Sequence, residues 1–135
     1  MKNNTMKRIT TGSLLIAASI LLLSLQPSAV AQTFDECKAD IDLLIADTST
    51  VTLTANNADK ARADLLVKLQ RAEVKLSQAK FLDAIQALKD YEAQVNELLN
   101  PKGNSSTPGI SSADAARLIS EADSALTCIR AMCGC

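Results

Sequence analysis

The sequence has 135 residues, of which 47% are hydrophobic, and its 14 basic and 15 acidic side chains leave a net charge of −1. Because the charge is nearly balanced, nothing in the composition favours binding to nucleic acid or to an anionic membrane surface. The chain contains no histidine, which excludes Ser-His-Asp and Cys-His nucleophiles, histidine general bases and histidine metal ligands.

Residues 1–31 have the order of a secretory signal peptide. A basic segment without acids comes first, an apolar run covers 14–25, and a small-residue Ala-Val-Ala motif ends at Ala31. The apolar run is shorter than the ~20 residues that a membrane-spanning helix needs. We therefore expect cleavage between Ala31 and Gln32, no stable membrane span afterwards, and a secreted or periplasmic protein. An uncleaved N-terminal anchor is the alternative.

The chain after this cleavage would be one domain of about 104 residues. The removed segment carries three of the basic residues, so 11 basic and 15 acidic residues remain and the net charge becomes −4. With two Phe, one Tyr and no Trp in the sequence, the core has to be built from Leu, Ile, Val and Ala. This composition is typical of closely packed helices.

The segment 32–57 is predicted to hold an N-terminal helix and a polar loop. Thr33 and Glu36 have the spacing of a capping box at the helix start. The stretch ADTSTVTLTANN, 46–57, is rich in side chains that compete for backbone hydrogen bonds, which predicts a loop or a frayed extension. The apolar face of the helix consists of Phe34, Cys37, Ile41, Leu44 and Ile45.

Two further helices are predicted over about 58–77 and 80–100. Extending the apolar stripe of the first at 3.6 residues per turn puts the next inner position about 1.4 residues before Phe81, where the apolar stripe resumes. A straight helix cannot bury both stripes against one partner, so the sequence predicts a break near Gln78-Ala79.

A loop and a last helix complete the predicted domain. The stretch NPKGNSSTPG, 100–109, combines Pro, Gly and polar residues and is the clearest loop signal in the chain. Ser111 and Asp114 have capping-box spacing, which predicts a helix that begins there. Cys128 falls in its last turn, and a cysteine-containing tail follows at 131–135.

The acidic residues show no pattern of a metal or catalytic site. The densest set is Asp35, Glu36, Asp40 and Asp42, which lacks the loop motif of a calcium site and is interpreted as a solvated helix start. Glycine-rich phosphate loops are also missing. No catalytic, cofactor-binding or metal-binding residue is therefore predicted, and we expect no enzyme activity.

The motifs LVKLQRA, FLDAIQAL, QVNEL and ARLISEA occur in this order between residues 66 and 122. Over about 58–130 the chain resembles the FIMAH-type helical module, an accessory domain of secreted and surface bacterial proteins. The resemblance implies a three-helix, non-catalytic domain. The family commonly has a glycine between its first two helices, whereas SQAK here has none, which predicts a left-handed Gln78 or Ala79 at a cost of about 1 kcal/mol.

The four cysteines, Cys37, Cys128, Cys133 and Cys135, are the disulfide candidates and allow three pairings. A bridge between Cys37 and Cys128 closes a loop of about 90 residues and contributes about 4 to 5 kcal/mol at most. Cys133 and Cys135 would then form a small ring. Alternatively, Cys37 pairs with Cys133 or Cys135, the cysteines form a thiolate cluster for zinc or copper(I), or the terminal CGC has a redox or intermolecular role.

We expect a small all-α, disulfide-stapled bundle of three to four helices. Residues 58–130 form three core helices, and 32–57 add an N-terminal helix. The leading functional hypothesis is a non-enzymatic module without cofactors, a monomer or weak oligomer, that associates with an unknown protein or cell-surface polymer. The alternatives are a small thiol protein for metal binding or disulfide exchange, and a periplasmic inhibitor-type protein.

Overall fold

The computed structural model describes residues 32–103 and 107–135. The predicted signal peptide, including Ala31 at the expected cleavage position, lies outside these residues. Gln32 is the first described residue and is exposed. Within the described part of the chain, no helix combines the length and the apolar character needed to cross a membrane.

The described chain forms a four-helix bundle with one small β-bridge, which confirms the predicted all-α, disulfide-stapled fold. Helix α1 packs against α2 and α4, and α3 completes the ring between α2 and α4. Neighbouring helices in the ring run antiparallel. In the pair α1 and α4, for example, Cys37–Cys128 joins the start of α1 to the end of α4, and Asp47–Arg117 joins the end of α1 to the start of α4. The elements in chain order are α1 (Phe34–Thr50), β1 (Leu53–Thr54), α2 (Ala58–Ser77), α3 (Phe81–Leu99), β2 (Gly109–Ile110) and α4 (Ser112–Cys133).

Both predicted capping residues start their helices. The Thr33 backbone N–H donates to the Glu36 carboxylate at 2.7 Å, and the Glu36 N–H donates to the Thr33 hydroxyl at 3.3 Å, a complete capping box. At α4, the Asp114 N–H donates to the Ser111 hydroxyl at 3.1 Å. The Asp114 carboxylate accepts from that same hydroxyl at 2.8 Å, so the second cap lacks the reciprocal bond to the backbone.

The stretch 46–57, predicted to be a loop or a frayed extension, continues α1 as far as Thr50 and then forms the short strand β1. Helix α1 continues to Thr50 because Thr48 is fully buried and its hydroxyl bonds to the Tyr91 hydroxyl at 2.8 Å. Beyond it, β1 pairs antiparallel with β2, with Leu53 opposite Ile110. Burial of these side chains outweighs the weak helix propensity of the Thr-rich sequence.

The predicted break between α2 and α3 is confirmed. Helix α2 ends at Ser77 and α3 begins at Phe81. Ala79 lies between them in the left-handed region with φ 55°, as the missing glycine predicted. The Lys75 ammonium lies 3.4 Å from the Asp83 carboxylate across this turn, so α2 and α3 form a tight hairpin.

One continuous apolar core fills the bundle, and α1 is an integral wall of it. Cys37, Ile41 and Leu44 of α1 are each 0% exposed. Phe34, predicted on the same face, is 39% exposed because it occupies the first position of α1 at the rim of the bundle. Small side chains let the helices approach closely, and those fully buried in the core include Ala72, Ala84, Ala115, Ala122 and Ala125.

Candidate functional site

The antiparallel order brings three chain segments together at one end of the bundle, which we call the disulfide end. It contains the start of α1, the turn between α2 and α3, and the end of α4 with the tail that follows. The β1–β2 bridge lies at the opposite end. All four cysteines belong to the half of the molecule at the disulfide end, although Cys37 is separated from Cys128 by 91 positions in the sequence.

Cys37 and Cys128 form a disulfide inside the core. Their Cα atoms lie 5.4 Å apart across a sequence separation of 91, and the two residues are 0% and 4% exposed. The bond joins the first turn of α1 to the last third of α4. Because both sulfurs are buried, this disulfide is a cross-link of the fold rather than a group available to solvent.

Cys133 and Cys135 form the second disulfide, at the surface. Their Cα atoms lie 5.3 Å apart. Cys135 is exposed and Cys133 is half-buried against the core. Gly134 between them adopts the left-handed helix cap with φ 68°, and its N–H donates to the Arg130 carbonyl at 2.9 Å. The cap turns the chain back and places the two cysteines side by side.

The structure pairs all four sulfurs, so none of the described cysteines is a free thiol. Within residues 32–103 and 107–135, no group of three or more Cys, Asp or Glu side chains is placed to hold a metal ion. Metal-binding cysteines have to be deprotonated thiolates. The alternative of a four-sulfur zinc or copper(I) site therefore finds no support in this arrangement.

A shallow apolar depression surrounds the surface disulfide. Its volume is about 580 Å³, and Leu82 at its rim is 70% exposed. We call the side chains of Ala79, Phe81 and Leu82 the apolar lip. Lys80 and Asp83 also line the depression, together with Cys133 and Cys135. The lip owes its position to the left-handed turn at Ala79, which ends α2 and starts α3 beside the C-terminus of α4.

A polar cluster lies between α1 and α4, near the end of the bundle that carries the β1–β2 bridge. Arg117 of α4 forms an ion pair with Asp47 of α1. Burial is the main cause that raises the pKa of Glu121 to about 7. A hydrogen bond with Asp47 and the negative charge of Asp47 raise it further, while the positive charge of Arg117 opposes the shift. One carboxylate oxygen of Glu121 is buried without a hydrogen-bond partner, and such burial disfavours the charged form of this carboxyl.

A similar acid pair connects α3 to α4. Burial raises the pKa of Glu92, and the negative charge of Asp123 and a hydrogen bond with Asp123 add to this shift. Neither this pair nor the Asp47–Glu121 pair was found from the sequence, because their members lie on different helices. The acidic set singled out there is solvated: Glu36 caps α1, and Asp42 pairs with Lys38 at 2.8 Å.

No protein-family model, no curated protein and no solved structure matches this chain. The similarity of residues 58–130 to FIMAH-type modules therefore remains a prediction from the sequence motifs. Function has to be inferred from the geometry and the chemistry of the chain itself.

Proposed function

We propose that the protein is an exported, non-enzymatic helical module that binds a partner protein through the apolar lip. The observation that carries this proposal is the 70% exposure of Leu82, which lies in the first turn of α3 directly after the hairpin between α2 and α3. Exposed apolar surface beside polar groups is typical of protein interaction sites. Leu82 can lose its contact with water only when another molecule covers it.

A protein is favoured over a surface polysaccharide as the partner, although the sequence left both open. Covering the lip yields about 25 cal/mol per Å² of apolar area, and a partner protein offers apolar side chains to do so. Lys80 and Asp83, which flank the lip, supply charges of both signs at its edge. Such a rim of charges around an apolar centre suits a protein interface.

Export is the part of the proposal that the cysteines support. Structural disulfides persist in secreted and periplasmic compartments and are rare in the cytosol. Four cysteines in two pairs are consistent with the signal-peptide pattern of residues 1–31. The FIMAH-like motifs point in the same direction, since that family is found in secreted and surface bacterial proteins.

The absence of histidine from the sequence and the solvated state of its densest acidic set support a non-enzymatic role. A periplasmic inhibitor is a special case of the same proposal, in which the bound protein is an enzyme whose activity falls on binding.

A capture experiment with matched variants tests the binding proposal. The oxidised protein, with Lys80→Arg in every form so that the lip keeps its charge but is not coupled, is immobilised through a lysine-directed linker. It is exposed to envelope and medium fractions of the producing cell, and captured proteins are identified by mass spectrometry. The matched variants are Leu82→Ser, in the lip, and Val67→Ser, which replaces a residue 61% exposed on α2.

We expect the wild type and Val67→Ser to retain the same protein and Leu82→Ser to lose it. Three results contradict the proposal: no protein is retained, retention is equal in all three forms, or only polysaccharide is captured. If the captured protein is an enzyme, its activity with and without the bundle distinguishes inhibition from simple association.

A further inference from the structure

We propose that the Cys133–Cys135 disulfide is a thiol–disulfide exchange site that oxidises cysteine pairs in extended polypeptide segments. The inference goes beyond the binding function. It rests on the contrast between the two disulfides of the chain: Cys37–Cys128 is buried in the core, whereas Cys135 is exposed at the end of α4. Access to a sulfur atom is a precondition for attack by an external thiolate.

Opening the surface disulfide leaves the fold intact. Gly134 and Cys135 both donate backbone hydrogen bonds to the Arg130 carbonyl, at 2.9 and 3.3 Å. These bonds cap α4 without any contribution from the sulfurs. The bond closes a ring of only three residues, so its loss frees little chain entropy compared with the loss of Cys37–Cys128. The pair can therefore alternate between disulfide and dithiol on a folded scaffold.

The exchange begins at the more exposed sulfur. A partner cysteine thiolate attacks Sγ of Cys135, a bond forms between these two sulfurs, and the Cys133–Cys135 bond breaks. Its electron pair leaves on Sγ of Cys133, which takes a proton from water. Lys80 and Asp83, which carry opposite charges, line the same depression.

A second cysteine of the partner then completes the reaction. Its thiolate attacks the partner sulfur of the mixed disulfide, and Cys135 leaves as a thiolate that is protonated in turn. The partner dithiol has lost two hydrogen atoms and become a disulfide, and the Cys133–Cys135 pair has become a dithiol. The co-reactant is thus a polypeptide with two cysteine thiols.

The apolar lip selects the kind of thiol. Phe81 and Leu82 line the depression together with both sulfurs, so an apolar side chain next to the attacking cysteine is covered during the reaction. Glutathione has no such side chain. A polypeptide with a phenylalanine beside its cysteine is therefore expected to react faster than glutathione or a matched peptide with serine at that position.

Gly134 is a positioning residue for ring closure. Its φ of 68° is the left-handed conformation that favours glycine, and a Cβ atom there would meet nothing within 4 Å. Gly134→Ala therefore acts through the backbone conformation alone. The closed ring requires this conformation, whereas an open tail with alanine can leave it, so we expect Gly134→Ala to lower the equilibrium constant for closing the disulfide roughly five-fold, which a glutathione redox titration of the folded protein measures.

Two measurements test the exchange site. In the first, the oxidised protein is equilibrated in glutathione buffers of increasing reducing strength, alkylated, and mapped by peptide mass spectrometry. Cys133 and Cys135 are expected to become alkylated while Cys37 and Cys128 stay paired and the helical circular dichroism is unchanged. The proposal is overturned if the surface pair opens only together with the core pair, or only on unfolding.

In the second, the oxidised protein is mixed with a reduced synthetic peptide that has two cysteines and a phenylalanine beside the first. The wild type is expected to oxidise it much faster than Cys133→Ser/Cys135→Ser, which keeps the core disulfide. Leu82→Ser is expected to slow this peptide several-fold, whereas Val67→Ser, at an exposed position of α2 that does not line the depression, is expected to react as fast as the wild type. Equal peptide oxidation by the wild type and the double variant overturns the proposal, and the result is independent of whether a binding partner is captured.

Discussion

The hydroxyl of Thr48 lies 2.8 Å from the hydroxyl of Tyr91, and both residues are fully buried. The bond crosses the bundle from α1 to α3, two helices that are diagonal in the ring. Burial raises the pKa of Tyr91 to about 12, although the bond to Thr48 opposes the shift. Tyr91 is therefore a neutral donor or acceptor at all physiological pH values, and the pair fixes how α1 lies on the core.

Removing one hydroxyl of the Thr48–Tyr91 hydrogen bond is expected to lower the free energy of unfolding more than removing both hydroxyls. Thr48→Val leaves the Tyr91 hydroxyl buried without a partner, at about 1 to 3 kcal/mol. Tyr91→Phe is expected to cost less than Thr48→Val, because the threonine hydroxyl can bond to a carbonyl of its own helix. Urea unfolding of both single variants and of the double variant measures the coupling. Strictly additive costs would show that the bond does not stabilise the fold.

Ala79 is strained because a residue with a Cβ atom holds the left-handed conformation. We expect Ala79→Gly to raise the free energy of unfolding by about 0.5 to 1 kcal/mol. Ala63→Gly, at an exposed position inside α2, is the control and is expected to lower it by about 1 kcal/mol. Loss of stability in both variants would mean that the turn does not hold Ala79 in this conformation.

The core disulfide is expected to carry far more stability than the surface disulfide. Replacing Cys37 and Cys128 by alanine removes a cross-link worth about 4 to 5 kcal/mol at most. Replacing Cys133 and Cys135 by serine is expected to cost about 1.5 kcal/mol or less, since the closed loop is short. Chemical unfolding of the two double variants compares them, and equal losses would contradict the division between a buried cross-link and a surface pair.

Glu121 makes the stability depend on pH in a direction unusual for a carboxyl. Its pKa rises from 4.5 to about 7 on folding, so the folded chain binds more protons than the unfolded chain between these values. Stability from this group is complete below about pH 4.5 and is lost as the pH rises through 7. Thermal unfolding is therefore expected to show a higher Tm at pH 5 than at pH 8.

Glu121→Gln removes the titrating group and is expected to raise the Tm at pH 8 and to reduce the difference between the two pH values. The groups that face it are Asp47 of α1 and Arg117 of its own helix. Asp64→Asn, at an exposed position on α2, serves as the control. It is expected to change neither the Tm at pH 8 nor the Tm difference between pH 5 and pH 8. If the Tm of Glu121→Gln depends on pH as strongly as the Tm of the wild type, another group is responsible for the pH dependence.

Local signals in the sequence were sufficient to predict where most of the helices begin and end. Polar caps at Thr33 and Ser111 located the starts of α1 and α4, because a cap acts within four residues. The break before Phe81 followed from the phase of the apolar stripe. A left-handed Gln78 or Ala79 was expected from the resemblance to FIMAH-type modules, and Ala79 holds this conformation. These features depend on neighbours in the chain, so they can be read without a tertiary structure.

The features that escaped the sequence depend on distant contacts. Thr48 looked like a loop residue, and only its burial against Tyr91 extends α1. The β1–β2 bridge is two residues long on each side, too short for an alternating pattern. The acid pair of Asp47 and Glu121 requires knowledge of which helices are neighbours. The sequence left several cysteine pairings open, and the structure forms the first of them, Cys37–Cys128 with Cys133–Cys135.

The intact mass of the protein isolated from the producing cell, without reduction, tests the account of an exported, disulfide-stapled module most directly. The account predicts a chain that begins at Gln32 and weighs about 4 Da less than its fully reduced form, because each disulfide removes two hydrogen atoms. A mass that corresponds to a chain beginning at Met1, or one that shows four free thiols, would contradict it.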